Sequence, residues 1–183
     1  YPLRRQRQMC IRDRLLSLYT TNFTICVSDF DESTVTADTP AQLVEKLARG
    51  KCLAVAKDHP GAVVLGCDTV VDVGGEVFGK PRSTEDAKRM LRALSGATHE
   101  VHTGVCVSDG LRTESFVDSC KVTFFPIPEE EIDAYTATKE PYDKAGAYAI
   151  QGRAALWLDR LEGDYYTIMG LPVSRTARLL GRF

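Results

Sequence analysis

Neither sign of charge dominates this chain. Its 23 lysines and arginines nearly balance 25 acids, for a formal net charge of -2. That balance argues against a nucleic-acid partner held by a basic face, since such binding rests on many phosphate contacts. An anionic ligand would have to be met by local cations. Long hydrophobic runs are missing too. No stretch is apolar for long enough to cross a membrane, and the first residues are basic and polar, unlike a secretory leader. The six cysteines, at 10, 26, 52, 67, 106 and 120, include no CxxC pair and no zinc spacing. Reduced thiols in a cytoplasmic protein are the expectation. The GxSxG of a serine hydrolase is also absent. What remains, 44% hydrophobic and 26% charged residues over 183 positions, is ordinary globular material sufficient for one domain, with or without two lobes.

The pattern along the chain predicts an α/β fold. The opening YPLRRQRQMCIRDR contains MCIRDR, which resembles translated read-through of a sequencing adapter. Residues 1–14 are therefore set apart from a single domain at 15–183. Leu15–Leu18 reads as the end of a short helix, and the alternation Phe23–Val27 as a strand. Thr39-Pro40 starts a helix that runs to about Asp58, with Pro preorganised at its first position. Gly50 inside it costs about 1 kcal/mol relative to alanine. The continuous apolar run 62–67 reads as a central strand buried on both faces, extended by 70–73 to a hairpin turn at Gly74-Gly75. Ser83 caps a second helix with Asp86 three residues on, and Gly96 stops it. Strands follow at 101–107 and 115–125 around Asp109-Gly110. Pro128 starts a third helix. The segment 146–159 reads as one or two strands, and 173–180 as a final helix. Helices and strands alternate early and hairpins come later, which implies a mixed, twisted sheet with flanking helices.

Several positions could carry chemistry. Asp68 ends a strand, where α/β sheets place functional groups; capping the following turn is an equal alternative. Glu32, in the acidic loop 28–33, is either a solvated turn residue or, with Asp68, a hard-oxygen site for Mg²⁺ or Mn²⁺. Lys51, Lys80 and Lys144 could neutralise phosphates. The stretch Gly74–Lys80 imitates a phosphate loop and then fails, because Pro81 stands where a metal-binding hydroxyl is required. His99 and His102 sit in a strand at a spacing that turns them to opposite faces, so a metal pair is disfavoured. Cys67 is a better core filler than nucleophile. The segment KAGAYAIQG, 144–152, places a lysine and a glutamine among small residues without an evident local reason.

The stretches LGCDTVV, GKP, MLRALSGATHEVHTGV, DKAGAYAIQG and GDYYTIMGLPV together resemble the Maf family of nucleoside triphosphate pyrophosphatases, over about residues 15–183. The resemblance implies a two-lobed fold around a cleft, akin to inosine triphosphatases. It also implies hydrolysis of a nucleoside triphosphate to monophosphate and pyrophosphate with a divalent cation. Asp68 matches the family's proton acceptor, and Glu32 a second acid near the metal. Lys51, Lys80 and Lys144 match its phosphate-facing lysines, while Thr69 and Gln151 match positions linked to base choice. Asp68-Thr69 and Ile150-Gln151-Gly152 match the branch acting on dTTP and UTP; a house-cleaning role on modified pyrimidine nucleotides, by the same chemistry, stands beside it. The branch acting on 7-methylguanosine triphosphate carries DQ and SEG there. A homodimer is implied as well. A nucleotide-binding regulator of septum formation, with little or no turnover, is the alternative. One departure stands out: MCIRDRLL replaces the family's opening ASxSPRR turn, and only Arg12 falls on one of its arginines.

Overall fold

The computed structural model describes residues 10–183. Of the segment 1–14 set apart above, positions 1–9 lie outside the described residues. Helix α1 is Ile11–Leu16. Thr39 Oγ1 accepts from Gln42 N at 3.2 Å and Pro40 opens α2, Pro40–Asp58. Strand β1, Val64–Val73, turns through Gly74 and Gly75 (φ +62 and +94) into β2, Glu76–Phe78. Glycine relieves the steric cost of that turn. Ser83 Oγ accepts from Asp86 N at 3.1 Å to cap α3, Thr84–Leu94. The rest comprises β3, Thr98–Ser108; β4, Thr113–Phe124; α4, Glu129–Thr136; β5, Leu158–Glu162; α5, Tyr165–Ile168; and α6, Val173–Leu180.

The sheet runs β2-β1-β3-β4-β5, and all four pairings are antiparallel. The fold is therefore α/β with helices flanking one sheet, as expected, but that sheet is antiparallel throughout instead of mixed. The position of the most buried strand differs from the expectation. The run at 62–73 is β1, but β2 covers only Val71–Val73 of its outer edge. Among the described residues, 64–70 keep a free edge and stay mostly half-buried, whereas mid-sheet β3 is buried almost throughout.

Strand alternation assigns the faces. Gly66, Asp68, Gly104 and Cys106 face α2. Val71, Val101 and Val122 face the larger core, built with Leu91, Leu94, Ile132, Tyr148, Trp157 and Leu171. His99 and His102 do lie on opposite faces. His99 bonds Tyr148 at 2.8 Å, while His102 lies 2.7 Å from Ser119 Oγ and 3.3 Å from Asp72.

Helix α2 lies directly on the backbone of the sheet. A Cβ on Gly104 would fall 2.4 Å from the Val44 carbonyl oxygen, and one on Gly66 would fall 2.6 Å from that of Ala48. No side chain can swing away to relieve either contact. Gly104→Ala is expected to lower stability by about 3 kcal/mol, the upper end for overpacking, read from urea unfolding. A loss below about 0.5 kcal/mol would show that α2 can retreat freely.

His99 predicts an acid sensitivity. Its Nδ1 has no hydrogen-bond partner among the described residues, and burial lowers its pKa from 6.5 to about 4. The unfolded chain therefore binds the proton first. Stability rises with pH between about 4 and 6.5, and this group's share is fully present above 6.5. The share is about 3 kcal/mol. His99→Gln should flatten that part of the stability–pH curve; an unchanged slope would assign the acid lability elsewhere.

Two expected strand segments depart from the sheet, one wholly (23–27) and one for all but its last two residues (146–159). Phe23–Val27 forms none, and Ile25 and Val27 are exposed. Alternation yields a strand only where an edge accepts it, and this segment instead runs beside α2. Cys26 Sγ lies 3.8 Å from His59 Nε2, and the Phe30 ring fills the space over Gly50, where a Cβ would come within 2.2 Å of it. That contact explains the glycine in mid-helix. Residues 146–157 also avoid the sheet, forming 3-10 turns at Ala145–Ala147 and Arg153–Trp157 before β5. The positive φ of Gly146 and Ala147, +70 and +61, is incompatible with extended pairing.

Candidate active site

The buried stripe of α2 is Val44, Leu47, Ala48 and Cys52, and Lys51 stands seven residues after Val44, on the same side. Its side chain therefore aims at the sheet instead of solvent. There it meets Asp68: Lys51 Nζ lies 2.5 Å from Asp68 Oδ1 and 3.0 Å from Glu32 Oε1. Glu32 arrives on a short 3-10 turn, Glu32–Thr34, capped by Asp31, whose carboxylate accepts from Ser33 N at 3.0 Å. Side-chain exposure falls from 55% for Glu32 to 23% for Lys51 and 14% for Asp68. The cluster thus grades from solvent into the sheet. Burial would lower the Lys51 pKa, but hydrogen bonds and charge from Asp68, then Glu32, outweigh it and hold the ammonium above its ordinary value.

The opposite side of β1 carries a second constellation. Arg12 on α1 donates through Nε to Gly170 O at 2.9 Å, through Nη1 to Cys67 O at 3.4 Å, and through Nη2 to Thr69 Oγ1 at 3.1 Å. These bonds leave one N–H on each terminal nitrogen. Thr103 Oγ1 donates to Thr167 O at 2.7 Å, so it must accept from Thr69 Oγ1 at 2.9 Å. The Thr69 proton is thereby committed. Arg14 donates to Gln151 Oε1 at 3.1 Å, leaving the exposed Gln151 amide N–H groups available. Because Asp68 and Thr69 are consecutive, their side chains leave opposite faces of the strand at its free edge.

The remaining lysines stand apart from that cluster. Lys80 is exposed in the loop after β2. Lys144 pairs with Asp143 at 2.8 Å. Their loops are nevertheless joined, since Gly146 N donates to Gly79 O at 3.1 Å. A Cβ on Gly146 would approach Val71 of β1 to 2.9 Å. KAGAYAIQG therefore leans on the strand that carries Asp68. Its small residues serve that approach, and Tyr148 buries against His99 and Phe124.

The structure brings Lys51, Glu32 and Asp68 into contact, and Arg12 with Thr69. It leaves Lys80 and Lys144 on loops without contact to either group. Cys67 packs against the core, where burial pushes its thiol up to about 11 and leaves it protonated. All six cysteines are free thiols. Sequence reasoning missed Thr103, Arg14 and the glycine seat of α2. Gly66 and Gly104 inside strand patterns were the available signal for that close approach. Two cavities of about 300 and 570 Å³ open beside residues 35–43 and beyond the end of α2, and neither includes Asp68. The charged cluster is marked by its chemistry, two carboxylates on one ammonium at the margin of the sheet.

The two carboxylates offer hard oxygen donors converging on one cation, which suits Mg²⁺ or Mn²⁺ with water and phosphate oxygens completing the shell. Among the described residues, no group of three His, Cys, Asp or Glu side chains could enclose a metal without such added ligands. No helix of the described residues is long and apolar enough to cross a membrane.

Comparison with known proteins gives the family. A family model described as Maf-like protein matches residues 10–183. A dTTP/UTP pyrophosphatase of Bacillus cytotoxicus is 45% identical over 172 residues, covering 94% of this chain and 90% of the relative. Proteins of the same name from Bacillus mycoides and Bacillus cereus are 45% and 43% identical over the same shares. The chain belongs to the Maf family.

Proposed function

We propose that this protein hydrolyses dTTP and UTP, and modified pyrimidine nucleotides of that shape, to the monophosphate and pyrophosphate. The observation that carries the reading is the Lys51 ammonium between Asp68 and Glu32, in a chain whose relatives are named dTTP/UTP pyrophosphatases. Those names favour turnover over a purely regulatory role.

Water attacks the α-phosphorus in line with the departing pyrophosphate. Asp68 accepts the proton of that water. Lys51, Lys80, Lys144 and Arg12 meet the charge on the phosphate oxygens. Arg12 suits this task because its bonds to Gly170 and Cys67 fix the guanidinium while two N–H groups stay free. Glu32 and Asp68 would hold a divalent cation, which supplies charge neutralisation at the phosphates when bound. Thr69 and Gln151 lie toward the base. A free Gln151 amide N–H can donate to a carbonyl of thymine or uracil. Arg14 beside it is a poor neighbour for a cationic 7-methylguanine.

The test is pyrophosphate release from a panel of dTTP, UTP, CTP, GTP and 7-methylguanosine triphosphate with Mg²⁺ or Mn²⁺. Preference for dTTP and UTP is expected. Preference for the methylated guanosine nucleotide, or no turnover of any, would overturn the reading.

A further inference from the structure

The position of Lys51 has a consequence for how the site fills. Its ammonium sits on the oxygens that a divalent cation would take, 2.5 Å from Asp68 Oδ1 and 3.0 Å from Glu32 Oε1. Neither carboxylate has another salt-bridge partner among the described residues. The seat is rigid on the Asp68 side, because α2 rests on the backbone of Gly66 and Gly104. A cation arriving there meets a tethered competitor of like charge. The two repel at short range, so they compete for the carboxylate pair. Lysine can leave: its stem is flexible and its ammonium carries three rotatable donors.

We infer that Lys51 is a built-in counter-ion for the Glu32–Asp68 pair, and that it couples divalent-cation binding to nucleotide binding. This rests on the function proposed above. Without nucleotide, the ammonium holds the carboxylates together and weakens cation binding. A phosphate chain gives the ammonium a second anionic partner and so vacates the carboxylate oxygens. Cation and nucleotide therefore strengthen one another's binding, and by linkage the effect is reciprocal. The carboxylate pair is thus never left bare, and the cation fills it less readily in the absence of substrate.

The test is Mn²⁺ binding to the full chain, followed by calorimetry and by the electron-spin signal of free Mn²⁺, with no nucleotide present. Lys51→Met is expected to bind Mn²⁺ about tenfold more tightly than the unsubstituted protein, within the usual span of such couplings. Adding Glu32→Gln to that variant should abolish the gain, which places it at this carboxylate pair. With a non-hydrolysable α,β-methylene analogue of dTTP, the unsubstituted protein should recover most of the difference. Far-ultraviolet circular dichroism checks that each variant is folded. Equal or weaker Mn²⁺ binding by folded Lys51→Met overturns the inference, as does a gain that survives Glu32→Gln. Because the primary measurement uses neither turnover nor nucleotide, its failure is distinguishable from failure of the substrate panel.

Discussion

Asp68→Asn is expected to lower kcat/KM for dTTP by about three orders of magnitude, with the fold intact. Asparagine has the shape of aspartate, and its amide oxygen can still accept from Lys51 at the position now held at 2.5 Å. It cannot take a proton from water. General-base catalysis contributes about 10²- to 10⁴-fold, and loss of one ligand to the divalent cation adds to that. Steady-state pyrophosphate release, paired with a thermal melt, separates the chemical loss from instability. Turnover within tenfold of the unsubstituted protein would remove Asp68 from the proton transfer.

Lys51→Met should cost about 10²-fold in kcat/KM, comparable to removing one preorganised donor from a developing oxyanion. Pyrophosphate release at saturating Mg²⁺, paired with a thermal melt, reads this loss. Turnover within threefold of the unsubstituted protein would remove Lys51 from charge stabilisation at the phosphates. Methionine keeps the apolar stem that packs along α2, so packing loss is a minor contribution.

Much of the fold was legible because its local chemistry is strong. Thr39-Pro40 and Ser83 cap the helices they were expected to start, and the Gly-Gly turn after β1 is a hairpin. The failures share a cause. Phe23–Val27 alternates like a strand, but alternation does not say whether an edge is available to pair. Residues 146–159 read as one or two strands, yet the backbone turns at Gly146 and Ala147 to reach β1, and only the last two of them enter β5. The site was legible in part. Lys51 belongs to the buried stripe of α2 by spacing, and Asp68 ends an apolar run, so their meeting could be anticipated. The Arg12–Thr69–Thr103–Thr167 chain could not, since it depends on the β1–β3 register and on the short helix α5, nearly a hundred residues downstream of Thr69.

The glycine seat beneath α2 also bears on how this molecule can move. In most helix-on-sheet packings a layer of side chains lies between the two, and rotamer changes give the interface some compliance. At Gly66 and Gly104 that layer is missing, and helix backbone meets strand backbone. The contact is mechanically hard. Helix α2, β1 and β3 should displace together, so the backbones of Lys51 and Asp68 keep their separation while the Lys51 side chain stays free to turn. Adjustment to a ligand then falls to the softer parts: the Glu32 turn on one side, and the loops of Lys80 and Lys144 on the other. Hydrogen exchange would show this as slow, concerted opening of α2 with β3, against fast local opening at residues 26–34.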